Sequence, residues 1–312
     1  MSVEICNQLS ERCFIPTSEN TYNLETACRI ELPKIEKAGK ELISEHYLRK
    51  ANDRANQLEL QGEFGRLLAE EENDVDWKSL IFSVPRGVMA FAARLATNSL
   101  ATPDNLARWG KIVDSKCKLC NSAVATLGHV ISGCPQSLNR FEFRHNSVLA
   151  YLHETFNTAK PDGIEIYSDL EGCKVNGGTV PPDILVTDLA RPDMVIVDRR
   201  SSPQEVIIVE LTIPWDSSCE NAENRKRERY EFLVQDIKDK GYKCSNHPLE
   251  IGARGFISNR NRGVLTHLCH IMKIRKLRNV QKMCSKLALL GTYSIYCARN
   301  SQDWNCSRLI KP

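Results

Sequence analysis

The chain has 312 residues, of which 42% are hydrophobic and 26% charged, with a net charge of +3. That is long enough for two or three modules and ordinary for a globular protein. It holds no run of the ~18 apolar residues a membrane span needs, so no membrane partner is expected. The N-terminal MSVEICNQLSERC lacks the basic flank and apolar centre of a signal peptide. The thirteen cysteines are therefore expected as reduced thiols or metal ligands rather than as a disulfide framework.

Residues 1–35 show no clear period and read as a linker or remnant. Helical spacing then runs from Ile35 to Glu72, with a break expected at Gly62. A second helical region spans Asp76 to Ala101, interrupted at Pro85–Gly87. Cys117, Cys120, His129 and Cys134 follow in a C-x2-C-x8-H-x4-C pattern. Two cysteines three apart suit a tight turn that presents both sulfurs to one ion. Thiolates with an imidazole suit a borderline-soft cation, so a structural Zn2+ is expected on these four. Four unliganded residues of a small core are the alternative. Leu138–Phe156 is an amphipathic helix with Phe141, Val148, Leu149, Leu152 and Phe156 inward, and Arg140, Arg144 and His145 free to meet nucleic acid. His145 and His153 are given no metal role. Lys160–Val180 is Gly-rich and polar and reads as a linker.

A strand is expected at Ile184–Val186, and a hairpin from Met194–Asp198 and Val206–Val209 around RRSSPQE. These short apolar runs suit strands buried on both faces. Glu210 follows the second run directly, and Asp193 heads the first, behind Pro192. A hairpin that brings both acids to one end makes a hard, oxygen-lined site suited to Mg2+. The spacing of 17 residues is long for a tight hairpin, so the turn is expected to bulge. Asp183, in another Pro-Asp pair, competes with Asp193, as does Asp198; an ion pair with Arg200 or Arg225 is the other reading of Glu210. Asn221–Lys238 is a charged helix with Phe232, Leu233 and Ile237 inward, and Lys243–Ser258 holds one or two strands. Ile251–Gln302 contains no Asp or Glu and ten Lys and Arg, among them Arg275, Lys276 and Arg278. A solvated helix face is the plain reading of such a run. A phosphate backbone is the other, favoured by its length.

HVISGCP, RFEFRHNSVLAYL, RPDMVIVD and ELTIPWDSSCENAENRKRERYEFL, with CKLC and LATPDNLARW upstream, resemble the C-terminal part of site-specific non-LTR retrotransposon polyproteins. The resemblance covers residues 40–300. It implies an α+β architecture: a helical region (1–104), a CCHC zinc knuckle and helix (105–158), a linker (159–180), a PD-(D/E)xK restriction-endonuclease-like core (181–265) and a basic helical tail (266–312). It implies a metal-dependent DNA endonuclease that nicks target DNA to prime reverse transcription. Asp193 and Glu210 would hold a catalytic Mg2+. Thr212 stands where a lysine is usual, and Lys226 on the next helix matches the displaced lysine, with Arg227 as fallback. Arg140, Arg144, Arg191, Arg275, Lys276 and Arg278 would contact nucleic acid. No paired aspartates are present, so the expectation is an element portion without its polymerase, acting in the nucleus on a DNA target. Element RNA, and a reverse transcriptase supplied in trans, are further partners. A catalytically inactive, nucleic-acid-binding zinc-knuckle module is the alternative.

Overall fold

The computed structural model describes residues 32–70, 77–184 and 191–304. The chain divides into two compact units, Met1–Arg66 and Leu67–Pro312. Helix α1 (Leu32–Gln57) of the first unit ends in a turn before α2 (Glu63–Glu70), which runs across the boundary between the units. Gly62 stands at the break. A Cβ there would meet the carbonyls of Ala55 and Leu58, so the turn closes only around a hydrogen atom. The expected linker of residues 1–35 lies almost wholly outside the described residues, as do Glu71, Glu72 and Asp76.

Beyond α2 the second unit holds α3 (Trp77–Phe82), α4 (Arg86–Ala96) and α5 (Pro103–Arg108). Thr102 caps α5, its hydroxyl accepting from the Asn105 N–H at 3.3 Å, with Pro103 in the first turn where no N–H is needed. After the cysteine-rich turn comes α6 (Leu138–Ala159). Four strands then form one sheet in the order β1-β2-β3-β4: β1 (Ile164–Ser168), β2 (Met194–Asp198), β3 (Glu205–Thr212) and β4 (Lys243–Glu250). The first three are antiparallel neighbours, and β4 runs parallel to β3. Helix α7 (Cys219–Asp239) makes the crossover that a parallel pair requires. Helices α8 (Asn259–Ile271) and α9 (Leu277–Cys297) complete the unit.

Strand alternation sorts the core into two faces. Val195, Val197, Val206 and Ile208 pack with Tyr230, Leu233 and Ile237 of α7. Met194, Ile196, Ile207, Val209 and Leu211 pack with Leu152 and Phe156 of α6, Leu265 and Leu268 of α8, and Val280 and Leu287 of α9. The central strands are thus buried on both sides, which is why their sequences lack polar alternation. No described helix is long and apolar enough to cross a membrane.

Several expectations change. The expected linker at Lys160–Val180 contains β1, whose IEIYS alternates buried and half-buried positions as an edge strand does. Ile184 lies in a turn, and Leu185–Val186 fall outside the described residues. The β2–β3 ladder runs without a bulge, and the extra length sits in the six-residue loop 199–204. Within Lys243–Ser258 there is one strand; Pro248 is tolerated because β4 is an edge. Phe232 is 69% exposed, while Leu233 and Ile237 do face inward. The basic segment is no tail: α8 and α9 supply the inner face of the unit.

Candidate functional site

The four knuckle residues converge. Cys117 sits in a turn closed by its N–H to Ala123 O at 2.9 Å and by Asn121 N–H to Cys117 O at 2.8 Å. Asn121 takes a left-handed φ of 53° there, a conformation asparagine tolerates better than most residues. His129 opens a single π-helical turn, His129–Gly133, that leads into Cys134. The Sγ atoms of Cys117 and Cys134 are 3.8 Å apart, and Cys120 Sγ lies 3.5 Å from His129 Nε2. All four ligand atoms lie within 4.8 Å of one another. Tetrahedral bonds of about 2.3 Å to sulfur and 2.0–2.1 Å to nitrogen require edges of about 3.8 and 3.5 Å. The donor set and its spacing therefore fit zinc. The Ser122 hydroxyl and N–H hold the Cys120 thiol down at about 6, whereas burial pushes Cys134 up to about 11.

The turn is bolted to the rest of the unit. Cys117, Leu127, Ile131 and Cys134 share a core with Phe91 and Leu95 of α4 and Leu289 of α9. Gly128 faces the Trp215 ring, which a Cβ added there would meet at 3.7 Å, and that ring covers the Arg254 guanidinium at 4.2 Å. Arg254 in turn pairs with the fully buried Asp216 at 2.8 Å, just beyond β3.

A second cluster stands at the other end of β3 from the 199–204 loop. The ladder pairs Met194 with Val209, so one further step sets Asp193 opposite Glu210. Asp193 Oδ2 accepts the Leu211 N–H at 2.9 Å and lies 3.3 Å from His145 Nε2. Lys226 reaches down from α7, pairs with Glu210 Oε2 and lies 3.8 Å from Asp193 Oδ2. Tyr230, one turn on, donates to the Arg191 carbonyl at 3.1 Å. Glu210 is only 1% exposed, and its Oε1 has no hydrogen-bond partner. Burial, and then the neighbouring Asp193, push the Glu210 pKa up to about 7. Burial acts the same way on Asp193, but the hydrogen bond and charge of His145, with Lys226, outweigh it and hold Asp193 below its ordinary value. His145 moves upward for the reciprocal reason, against its burial. Beside the cluster lies a cleft of about 490 Å³, lined among others by Phe141, His145, Asn146, Asp193 and Lys226.

Asp193, Glu210 and Lys226 are thus brought together, and their competitors are not. Asp198 and Asp183 lie toward the opposite end of β2, paired with Arg200 at 2.6 Å and Arg199 at 2.7 Å. Arg227 points away and pairs with Glu223 at 3.2 Å. His145, expected to meet nucleic acid and given no metal role, joins the cluster instead; its position one residue after Arg144 on α6 gave no hint of a partner 48 residues on.

Two expected nucleic-acid contacts are corrected. Arg140 and Arg144 are 2% and 1% exposed. Arg140 donates to Ala298 O at 2.8 Å, and Arg144 to Ile213 O at 2.8 Å and Thr292 Oγ1 at 2.9 Å. Gly291 makes room for Arg144, whose Cγ would stand 2.6 Å from an added Cβ. Their charges tie α6 to α9 and to the end of β3, and are spent inside the fold. Arg191, Arg275, Lys276 and Arg278 are exposed.

Comparison of the whole chain with curated proteins gave no match. The protein family described as zinc-binding in reverse transcriptase matches residues 64–139, a span that contains the four converging ligands. By match and by geometry alike, the Cys117, Cys120, His129 and Cys134 cluster is a zinc-binding site, set in a region similar to the zinc-binding part of reverse transcriptases.

Proposed function

We propose that the chain is the endonuclease portion of a non-LTR retrotransposon protein, with a PD-(D/E)xK restriction-like core that nicks target DNA for target-primed reverse transcription. One observation carries this reading: Asp193 and Glu210, 17 residues apart, face each other across adjacent strands with the Lys226 ammonium between them. Two acids rarely share a buried pocket unless cations compensate them. The partnerless Glu210 Oε1 supplies an oxygen for a divalent cation. Asp193 and Glu210 would hold Mg2+, which when bound neutralises phosphate charge and acidifies a water. Lys226, displaced from Glu210, would then hold a phosphate oxygen or the attacking water. His145 and the Leu211 N–H keep Asp193 ionised and aimed. The 490 Å³ cleft gives a phosphodiester access. The zinc site shapes the wall behind Trp215 and takes no part in the chemistry, since a closed four-ligand site has no open position. Exposed Arg191, Arg275, Lys276 and Arg278 would grip the phosphate backbone of DNA or of element RNA in the nucleus.

A nucleic-acid-binding module without catalysis is the second reading. It is favoured by the saturation of Glu210 Oε2 by Lys226 and of Asp193 by His145. Plasmid nicking separates the two. The nuclease reading expects magnesium-dependent nicking of supercoiled DNA that is lost in Asp193→Ala and Glu210→Ala while DNA retention persists. Equal nicking by wild type and both variants, or none with any divalent metal, overturns it.

A further inference from the structure

The ends of three neighbouring strands carry acids in a row. Ser168 pairs with Met194, and Met194 with Val209. One step further, Asp169, Asp193 and Glu210 therefore stand side by side across β1, β2 and β3. The Asp169 N–H donates to Asp193 O at 2.9 Å, which carries the β1–β2 register to that point. Asp193 and Glu210 share Lys226. Asp169 has an ammonium of its own, since Lys174 Nζ lies 2.5 Å from its Oδ1. Asp169, Lys174, Asp193 and Lys226 all line the 490 Å³ cleft.

The backbone fixes where Lys174 stands. On one side, the Ser168 N–H donates to Cys173 O at 3.0 Å and the Cys173 N–H to Leu170 O at 3.1 Å. On the other, Val175 and Gly178 exchange two bonds of 2.9 Å. Lys174 is the residue between these two closed turns. Its hold on Asp169 is by contrast light. The two side chains are 35% and 34% exposed, and an ion pair so open to solvent contributes little. A lysine on a fixed backbone at the edge of a cleft, held lightly by one acid, can exchange that acid for a phosphate oxygen. Reach sets which phosphate it meets. Asp169 and Glu210 are two strand spacings apart, about 10 Å. Phosphates of one DNA strand advance about 3.4 Å along the helix axis per nucleotide. Lys174 thus faces a phosphate within about three nucleotides of the one at Lys226.

We propose that Lys174 is a positioning residue of the cleft, which binds a backbone phosphate flanking the one that is cut, and that Asp169 holds its ammonium over the cleft until DNA enters. The assignment rests on the reading of Asp193, Glu210 and Lys226 as a nuclease site and adds to it a contact on the substrate. A phosphate that does not react is bound equally before and during cleavage, so this contact lowers KM and leaves kcat unchanged. It carries no base information and serves every sequence alike.

The test uses the zinc-loaded full chain, with a short DNA duplex as probe for retention without added divalent metal and supercoiled plasmid with Mg2+ for nicking. Lys174→Met is expected to weaken retention about tenfold and to reduce the log–log salt slope by about 0.9, with melting unchanged. KM for nicking should rise by a similar factor while kcat holds. Lys174→Arg, which keeps a cation for the phosphate, should restore retention, slope and KM. Asp169→Asn frees the ammonium and should tighten retention, a gain that should be largely lost when Lys174→Met is added. If Lys174→Met retains DNA with wild-type affinity and slope, or if the arginine variant behaves like the methionine one, the contact is refuted. A gain that persists in the double variant overturns the role of Asp169. If wild type nicks nothing and Lys174→Met still loses retention and slope, the nuclease reading fails and the phosphate contact stands.

Discussion

Replacing Lys226 with methionine removes an ammonium that touches both Asp193 and Glu210. The three side chains are 23%, 16% and 1% exposed, so solvent screens them little. A pair of charges about 4 Å apart attracts by about 4 kcal/mol at an effective dielectric of ~20. Breaking such a buried pair costs about 3–5 kcal/mol, because Glu210 is left without its cation. At roughly 2–4 °C per kcal/mol, Tm should fall by about 10 °C at pH 8. The pH sign follows from Glu210, whose pKa is raised from 4.5 to about 7. A raised acid favours the fold most below its unfolded value of 4.5, and that contribution is lost as pH rises through 7. Lys226 offsets the loss at high pH by pairing with the ionised form. Its removal should therefore cost most above pH 7. At pH 5, where Glu210 carries a proton and only the Asp193 contact is lost, the cost should shrink to about 1–2 kcal/mol. Thermal melts of wild type and Lys226→Met from pH 5 to 8, zinc-saturated, measure this. Mg2+ at pH 8 should restore the variant more than it stabilises wild type, since nothing then competes for Glu210. An equal Tm loss at pH 5 and pH 8 would refute the reasoning and leave Lys226 an ordinary helix charge.

Gly252→Ala should destabilise by about 3–5 kcal/mol in denaturant titration, because the new methyl runs into the Asp216 carboxylate and parts a fully buried pair from Arg254. Arg144→Met should lower stability by about 3 kcal/mol or more, yet leave the salt dependence of DNA retention unchanged, since its guanidinium faces the Ile213 carbonyl and not solvent. Removing Lys273, Arg275, Lys276 and Arg278 together should do the opposite, with melting little altered and the log–log salt slope reduced by about 3–4. Cys117→Ser should take zinc from about one ion per chain to a small fraction of that and expose the Leu127–Ile131 core to protease, as expected of a region that folds around its metal.

The parts legible in the sequence share one property, that their signal is local. Met194–Val197 and Val206–Val209 announce buried strands because every residue is apolar, and both are strands buried on both faces. The zinc ligands announce themselves through spacing that a single turn can close. What the sequence hid depends on partners far along the chain. Ile164–Ser168 reads as linker because it is short and glycines surround it; only its pairing with β2 makes it a strand. Arg140 and Arg144 look like a solvent stripe until α9 covers them from about 150 residues away. Lys243–Ser258, by contrast, reads as one or two strands despite its proline, and Lys243–Glu250 is one, held by the β3 edge beside it. The positive charge of Ile251–Gln302 was countable, but its apolar stripe proved to be core, so the exposed cations gather at the α8–α9 turn.

The clasp between α6 and α9 has a consequence for biosynthesis. Arg140 donates to Ala298 O and Ser301 O, and Arg144 to Thr292 Oγ1, all of them translated well over a hundred residues later. Contacts of that reach are slow to form and leave apolar strands bare while they wait. The nascent polypeptide must therefore leave the ribosome almost entire before the sheet gains its inner cover, and a messenger cut short before α9 should yield insoluble product rather than a smaller working fragment.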